Sequence, residues 1–209
     1  MKRRWLALSL AALLVLGLAG CGESPKKDQG TEEKTGGEMI PEGTADPIHV
    51  TMEVQDYGTI ELELDPNAAP KTVENFVGLV KEGFYDGLTF HRIMDGFMIQ
   101  GGDPLGNGTG GADATVEGEF SSNGWENPIS HQRGVISMAR SQKPDSASSQ
   151  FFIVQEDSLH LDGAYAAFGR VTSGMEVVDQ ICKEVKPVDG NGTVEPEDQP
   201  VITKIQIVE

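Results

Sequence analysis

The chain has 209 residues, with 16 Lys+Arg against 33 Asp+Glu, a formal net charge of −17 and an isoelectric point near 4.5. A charge of that sign repels nucleic acid and anionic lipid headgroups, so neither is expected as the main partner through surface charge. Two cysteines do not make a disulfide framework.

The first 20 residues read as a leader. Lys2, Arg3 and Arg4 form a positive segment, and Trp5–Leu18 is almost wholly apolar. That run is shorter than the roughly 20 residues that span a bilayer. It ends in Leu18-Ala19-Gly20-Cys21, which resembles the bacterial lipobox, where cleavage precedes a cysteine that then carries acyl chains, palmitate among them. Residues 1–20 are therefore expected to be a lipoprotein signal peptide and Cys21 the lipidation site. An ordinary cleaved signal or an uncleaved anchor ranks below that reading. Each buried methylene contributes about 0.8 kcal/mol, so two or more chains anchor a protein stably. The expected location is the extracytoplasmic face of a cell membrane. Without residues 1–20, 13 Lys and Arg remain against 33 Asp and Glu, a net of −20.

Residues 21–46 are read as the lipidated cysteine and a disordered linker. Gly22–Asp46 is rich in Gly, Glu, Lys, Ser and Pro and nearly free of apolar residues, too few to offset the entropy of ordering. Fully extended, such a tether reaches about 80 Å at most.

Residues 47–209 suffice for one well-cored domain. His49–Val54 and Thr59–Leu64 alternate apolar and polar around Asp56-Tyr57-Gly58, the pattern of an antiparallel hairpin with one wet face. Pro70–Glu82 predicts a helix: Pro70 suits the first turn, Val73, Phe76, Val77 and Val80 fall on one face, and Gly83 ends it. Thr89–Met94 and Phe97–Gln100 flank Asp95-Gly96, a hairpin signal of the primed-turn kind. In such a hairpin Arg92 and Gln100 can project from one face beside Phe97 or Met98. That gives either a cation, an amide and an apolar wall in one place, or a half-buried hairpin with a wet side. Gly106–Ala114 is read as a loop, since a phosphate cradle would need Gly-Lys-Ser/Thr. Gly134–Ala139, Gln150–Val154, Ala167–Val171 and Val201–Val208 are further strands. Gly174–Cys182 is a second short helix that buries Cys182 as an inert thiol. Many short strands with two helices point to an all-β barrel or sandwich.

No chemistry of the covalent or metal kind is indicated. His49, His91, His131 and His160 lack ligand spacing, and no serine sits in Gly-x-Ser-x-Gly.

Phe90-His91-Arg92-Ile93 with Gly96-Phe97-Met98-Ile99-Gln100-Gly101-Gly102-Asp103 resembles the signature of the cyclophilin-type peptidyl-prolyl isomerases. Asn107-Gly108-Thr109-Gly110-Gly111, Ser137-Met138-Ala139, Ser149-Gln150-Phe151-Phe152-Ile153 and Leu161-Asp162-Gly163 follow in family order. The likeness covers about Ile48 to Glu209. It implies a closed eight-stranded antiparallel barrel capped by two helices, and catalysed rotation of X-Pro bonds in extracytoplasmic proteins to assist their folding. It implies no cofactor, no metal and no covalent intermediate.

The resemblance makes Arg92 and Gln100 the catalytic pair. Phe97, Met98, Ala139, Phe152 and Leu161 line the proline pocket, and Gln150 supports it. Arg140 stands where the family usually has Asn, a position that contacts substrate through its main chain. His160 stands where many eukaryotic members carry Trp, a position that helps bind cyclosporin, so sensitivity to that inhibitor does not follow. Tyr165 stands where those members carry His. Both are kept as substrate-binding residues. The implied partners are proline-containing polypeptides and, through Cys21, the membrane; nucleic acid is excluded and a monomer is expected. The rival reading is a non-catalytic tethered holdase or assembly factor using the same groove.

Overall fold

The computed structural model describes residues 45–208. The leader, Cys21 and the linker up to residue 44 lie outside them. Eight strands and two helices follow in the order β1 (Ile48–Val54), β2 (Gly58–Leu64), α1 (Pro70–Lys81), β3 (Thr89–Met94), β4 (Met98–Asp103), β5 (Val135–Met138), β6 (Phe151–Val154), β7 (Ala167–Ser173), α2 (Met175–Glu184) and β8 (Ile202–Val208). All strand pairs are antiparallel, in the spatial order β3-β4-β6-β5-β7-β2-β1-β8.

The expected closed barrel is not completed by a ladder. β3 and the approach to β8 meet over a short seam. It consists of a single bridge, Thr89 to Val201, with Phe90 N–H donating to Pro200 O, Ile202 N–H to Leu88 O and Gly87 N–H to Ile202 O. The sheet is therefore a curled half-barrel.

The concave side holds the main core. Val73, Phe76, Val77 and Val80 of α1 point into it, as their spacing demands, and Phe76 packs on Tyr85, Phe151 and Phe168 at centroid distances of 5.0–5.7 Å. The helix cap comes from far away in sequence. Ala69 offers no side-chain oxygen, and the buried Glu119 carboxylate accepts from Lys71 N–H (3.0 Å) and Thr72 N–H (2.8 Å). These are donors that a helix start leaves unpaired, and an anion is favoured there. α2 buries Val177, Val178, Ile181 and Cys182. Burial pushes the Cys182 thiol pKa up to about 12, with Asp95 and Asp179 adding to the effect, so the thiol is protonated and inert.

β5 and β6 do not alternate; every residue in both is buried. The reason is that the sheet is covered on both faces here. Ile136, Met138, Phe151 and Ile153 join the main core, whereas Val135, Phe152 and Val154 join a second, smaller cluster with Met98, Leu161 and Ala167. The groove that gathers the candidate residues is built on that convex side.

The β3–β4 turn differs from the primed type. Phe97 N–H donates to Met94 O at 3.0 Å, and of the two central residues only Gly96 has positive φ (+78°). A primed turn needs positive φ at the first central position, which Asp95 does not supply.

Candidate active site

Strand register alone lays out the site. Arg92 on β3 faces Gln100 on β4, Gln100 faces Phe152 on β6, and Phe152 faces Ser137 on β5. Four neighbouring strands thus contribute one row on the convex face, because side chains two apart share a face and opposite residues share a rank. Met98 stands one rank away, opposite Met94 and Val154.

Loops raise walls around this row. Phe97 comes from the β3–β4 turn, Ala139 and Arg140 follow β5, and a one-turn 3-10 helix, Leu159–Leu161, delivers Leu161. Tyr165 meets Phe152 edge-on at 5.7 Å. Together they enclose an open cavity of about 350 Å³, lined by Arg92, Phe97, Met98, Gln100, Ala139, Arg140, Phe152, Leu161 and Tyr165. Nine of the ten substrate-facing residues expected from sequence therefore meet in one place. His160 is the exception. It is exposed and its ring packs on Phe97 at 5.8 Å, bracing that wall from outside the cavity. It lies one step before Leu161 in a 3-10 turn, so the two side chains diverge.

The Arg92 guanidinium is fixed from several directions. Nε donates to Asn191 O at 2.7 Å, Nη1 to Gln100 Oε1 at 3.1 Å, and Nη2 faces the Met94 sulfur at 3.0 Å. Burial lowers its pKa, with Tyr165 and Asp189 acting against that, and the group keeps its charge at neutral pH. Gln100 Nε2 donates to Gln150 Oε1 at 2.9 Å, and Gln150 Nε2 to Gly110 O at 2.8 Å. This amide chain settles which end of Gln100 faces Arg92.

The groups behind the row carry no local sequence signal. His131, 1% exposed, has Nδ1 2.8 Å from Asp162 Oδ1 and Nε2 3.0 Å from Ser137 Oγ, and its ring stacks on Phe152 at 6.1 Å and 17°. Burial lowers the His131 pKa more than Asp162 raises it, so the ring is neutral. The order Ser–His–Asp matches a hydrolytic triad, yet Ser137 is fully buried and cannot reach a substrate. The trio instead backs the Phe152 ring. His91, Asn107 and Gly108, which lie in the blocks that carry the family resemblance, and Thr193, which does not, also line the cavity. The Gly106–Ala114 loop is held against the site by Asp103, whose carboxylate accepts from the N–H groups of Leu105, Asn107 and Gly108. Burial works to raise the Asp103 pKa, but these amides outweigh it and hold the carboxyl below its usual range. Asn191, which orients Arg92, lies 99 positions away in sequence.

Among the described residues no group of three His, Cys, Asp or Glu side chains could hold a metal ion. What the cavity offers is an apolar slot bordered by the Gln100 and Asn107 amides and by two guanidiniums, those of Arg92 and Arg140.

Comparison with known proteins bears on the family and the fold. A family model described as cyclophilin type peptidyl-prolyl cis-trans isomerase matches residues 49–207. Peptidyl-prolyl cis-trans isomerase B of Bacillus subtilis is 52% identical over 123 residues, 59% of this chain and 82% of that protein. A peptidyl-prolyl cis-trans isomerase of Helicobacter pylori is 44% identical over 146 residues, 69% of this chain and 86% of its own. The crystal structure of a Cryptosporidium parvum cyclophilin type isomerase, solved in the presence of the dipeptide Ala-Pro, superposes with a TM-score of 0.68 at 31% identity. It covers 77% of this chain and 99% of that one.

Proposed function

The chain belongs to the cyclophilin-type peptidyl-prolyl cis-trans isomerases and is a prolyl isomerase, and we propose that it performs this reaction from a lipid anchor on the extracytoplasmic face of a membrane, on polypeptides that are still folding. The observation that carries the mechanistic part is the fixed Arg92 guanidinium at the edge of the apolar cavity.

Rotation about a prolyl amide faces about 18–20 kcal/mol because resonance must be broken. Unaided, exchange takes tens to hundreds of seconds. A twisted amide has a localised nitrogen lone pair, which accepts a hydrogen bond far better than the planar amide does. A donor aimed at that nitrogen therefore binds the transition state more tightly than the ground state, which is what acceleration requires. Arg92 is suited to that task. The protein acceptor of Nη2 is a thioether sulfur, a weak one, so its protons remain available. Phe97, Met98, Phe152 and Leu161 grip the proline ring by burial of apolar area. Gln100, held by Gln150, meets the substrate backbone. Ala139 closes the rim, and Arg140 and Tyr165 form the far wall. All of these groups come from one chain, which suits a monomer.

The tether rests on the leader, the Leu18-Ala19-Gly20-Cys21 sequence and the apolar-poor stretch up to Asp46. Those features would place the domain tens of Å from the bilayer, where emerging chains pass. Labelling with radioactive palmitate and membrane fractionation test this in a bacterial host. The intact protein should label and pellet with membranes, and Cys21→Ser should do neither; label or membrane retention in the variant contradicts the anchor.

A further inference from the structure

The described residues contain four arginines. Arg133 pairs with Asp179 and Arg170 with Glu63, both outside the groove. Arg92 and Arg140, the two in the groove, have no carboxylate partner among the described residues. In a chain with 33 Asp and Glu that pattern is selective.

Arg140 is also held rigidly. Its guanidinium lies between the Phe120 and Tyr165 rings, 5.0 and 4.7 Å from their centroids. Nε donates to Ala164 O and Nη1 to Ser141 O, each at 2.8 Å. Nη2 has no acceptor among the described residues. The side-chain entropy of an arginine is thus already spent, and one donor edge is left to offer.

That edge borders two spaces. Arg140 lines the apolar cavity and also a neighbouring polar one of about 260 Å³, whose remaining wall includes Ser141, Ser146, Ser148 and Gln150. No lining residue of either cavity is acidic. An extended peptide advances about 3.3 Å per residue, so a side chain within two positions of the proline reaches the second space.

We propose that Arg140 is a specificity-determining residue that favours prolyl substrates bearing a carboxylate side chain within two positions of the proline. The inference rests on the groove being the prolyl-peptide site. Among the described residues no carboxylate lines the groove, so a bound carboxylate meets a guanidinium and hydroxyl donors.

The test is exchange NMR on short peptides with Glu, Gln or Lys placed in turn at each of the two positions on either side of the proline. At one position or more, kcat/KM for Glu should exceed that for Lys by about fivefold at low salt, the size of a well-oriented ion pair. The ratio should shrink towards one in 0.5 M NaCl as screening sets in, with a Debye length of about 4 Å. Arg140→Asn and Arg140→Gln should abolish it, with folding checked by circular dichroism; the salt series needs no variant. A Glu/Lys ratio near one at all positions in the wild type, or one that survives both substitutions, overturns the proposal. Failure to accelerate any peptide would instead count against the groove as the prolyl site.

Discussion

Arg92 and Gln100 lie directly opposite each other on β3 and β4, and the arginine Nη1 donates to the glutamine Oε1 at 3.1 Å. The pair is steadied from the other side by Gln150. Replacing Gln150 with Leu leaves Gln100 free to rotate and removes the contact with Gly110. We expect kcat/KM to fall about tenfold through lost positioning, with the melting temperature nearly unchanged. Single-turnover exchange NMR on a proline tetrapeptide measures this; activity equal to wild type would show that Gln100 needs no support.

The cap of α1 predicts a pure stability effect. Glu119→Ala strips two buried backbone donors of their charged acceptor at a helix N-terminus. The expected cost is about 2–3 kcal/mol in urea unfolding. Activity under native conditions should persist, since the site shares no atom with this cap.

Much of this architecture was legible in the sequence. The two helices and the alternating strands fall where periodicity predicts them, because local pattern governs elements with one buried stripe; β5 and β6, buried on both faces, are marked only by short apolar runs, and β4 runs past Gln100 to Asp103. Arg92, Gln100, Phe97 and Met98 share one short hairpin, which allows them to project together; the hairpin leaves a site and a wet face equally open, and the family resemblance selects the site. Groups that meet only through tertiary pairing were not. Glu119 lies 48 positions from the amide it caps, Asn191 lies 99 from Arg92, and His131 joins Ser137 to Asp162 across 31 positions. None of these residues has a local pattern that distinguishes it from an ordinary loop residue. Likewise, the open seam between β3 and β8 depends on backbone contacts that composition does not encode.

Stability should fall as pH drops from 7 towards 5. His131 and His91 both have folded pKa values below their ordinary 6.5, with burial the first cause in each case. For such a group the unfolded state takes the proton first, so the contribution is whole above about 6.5 and is lost as pH falls towards the folded value. Melting temperature against pH tests this in the wild type. In His131→Asn the slope over this range should flatten, because one of the two histidines no longer titrates; an unchanged slope would assign the effect elsewhere.

Gly192 holds the segment that orients Arg92. Its φ is +87°, and a Cβ there would lie 2.6 Å from Ile93 O. Gly192→Ala must push the 189–193 segment outward, and Asn191 O with it, so the Nε contact of Arg92 is lost. An overall destabilisation of about 1–3 kcal/mol is expected from the backbone conformation alone. At a temperature where the variant stays folded, kcat should drop more than KM changes. A loss confined to KM would show that Asn191 does not set the cation.

In this mechanism one guanidinium, that of Arg92, lowers the barrier by binding the twisted amide. Its most direct test is a protease-coupled isomerase assay on a proline peptide, run beside peptide titration by NMR, for wild type and Arg92→Ala. Arg92→Ala should lose about 100-fold in kcat/KM, as for removal of a single preorganised donor, with peptide affinity within about threefold of wild type. Full acceleration in Arg92→Ala would contradict it.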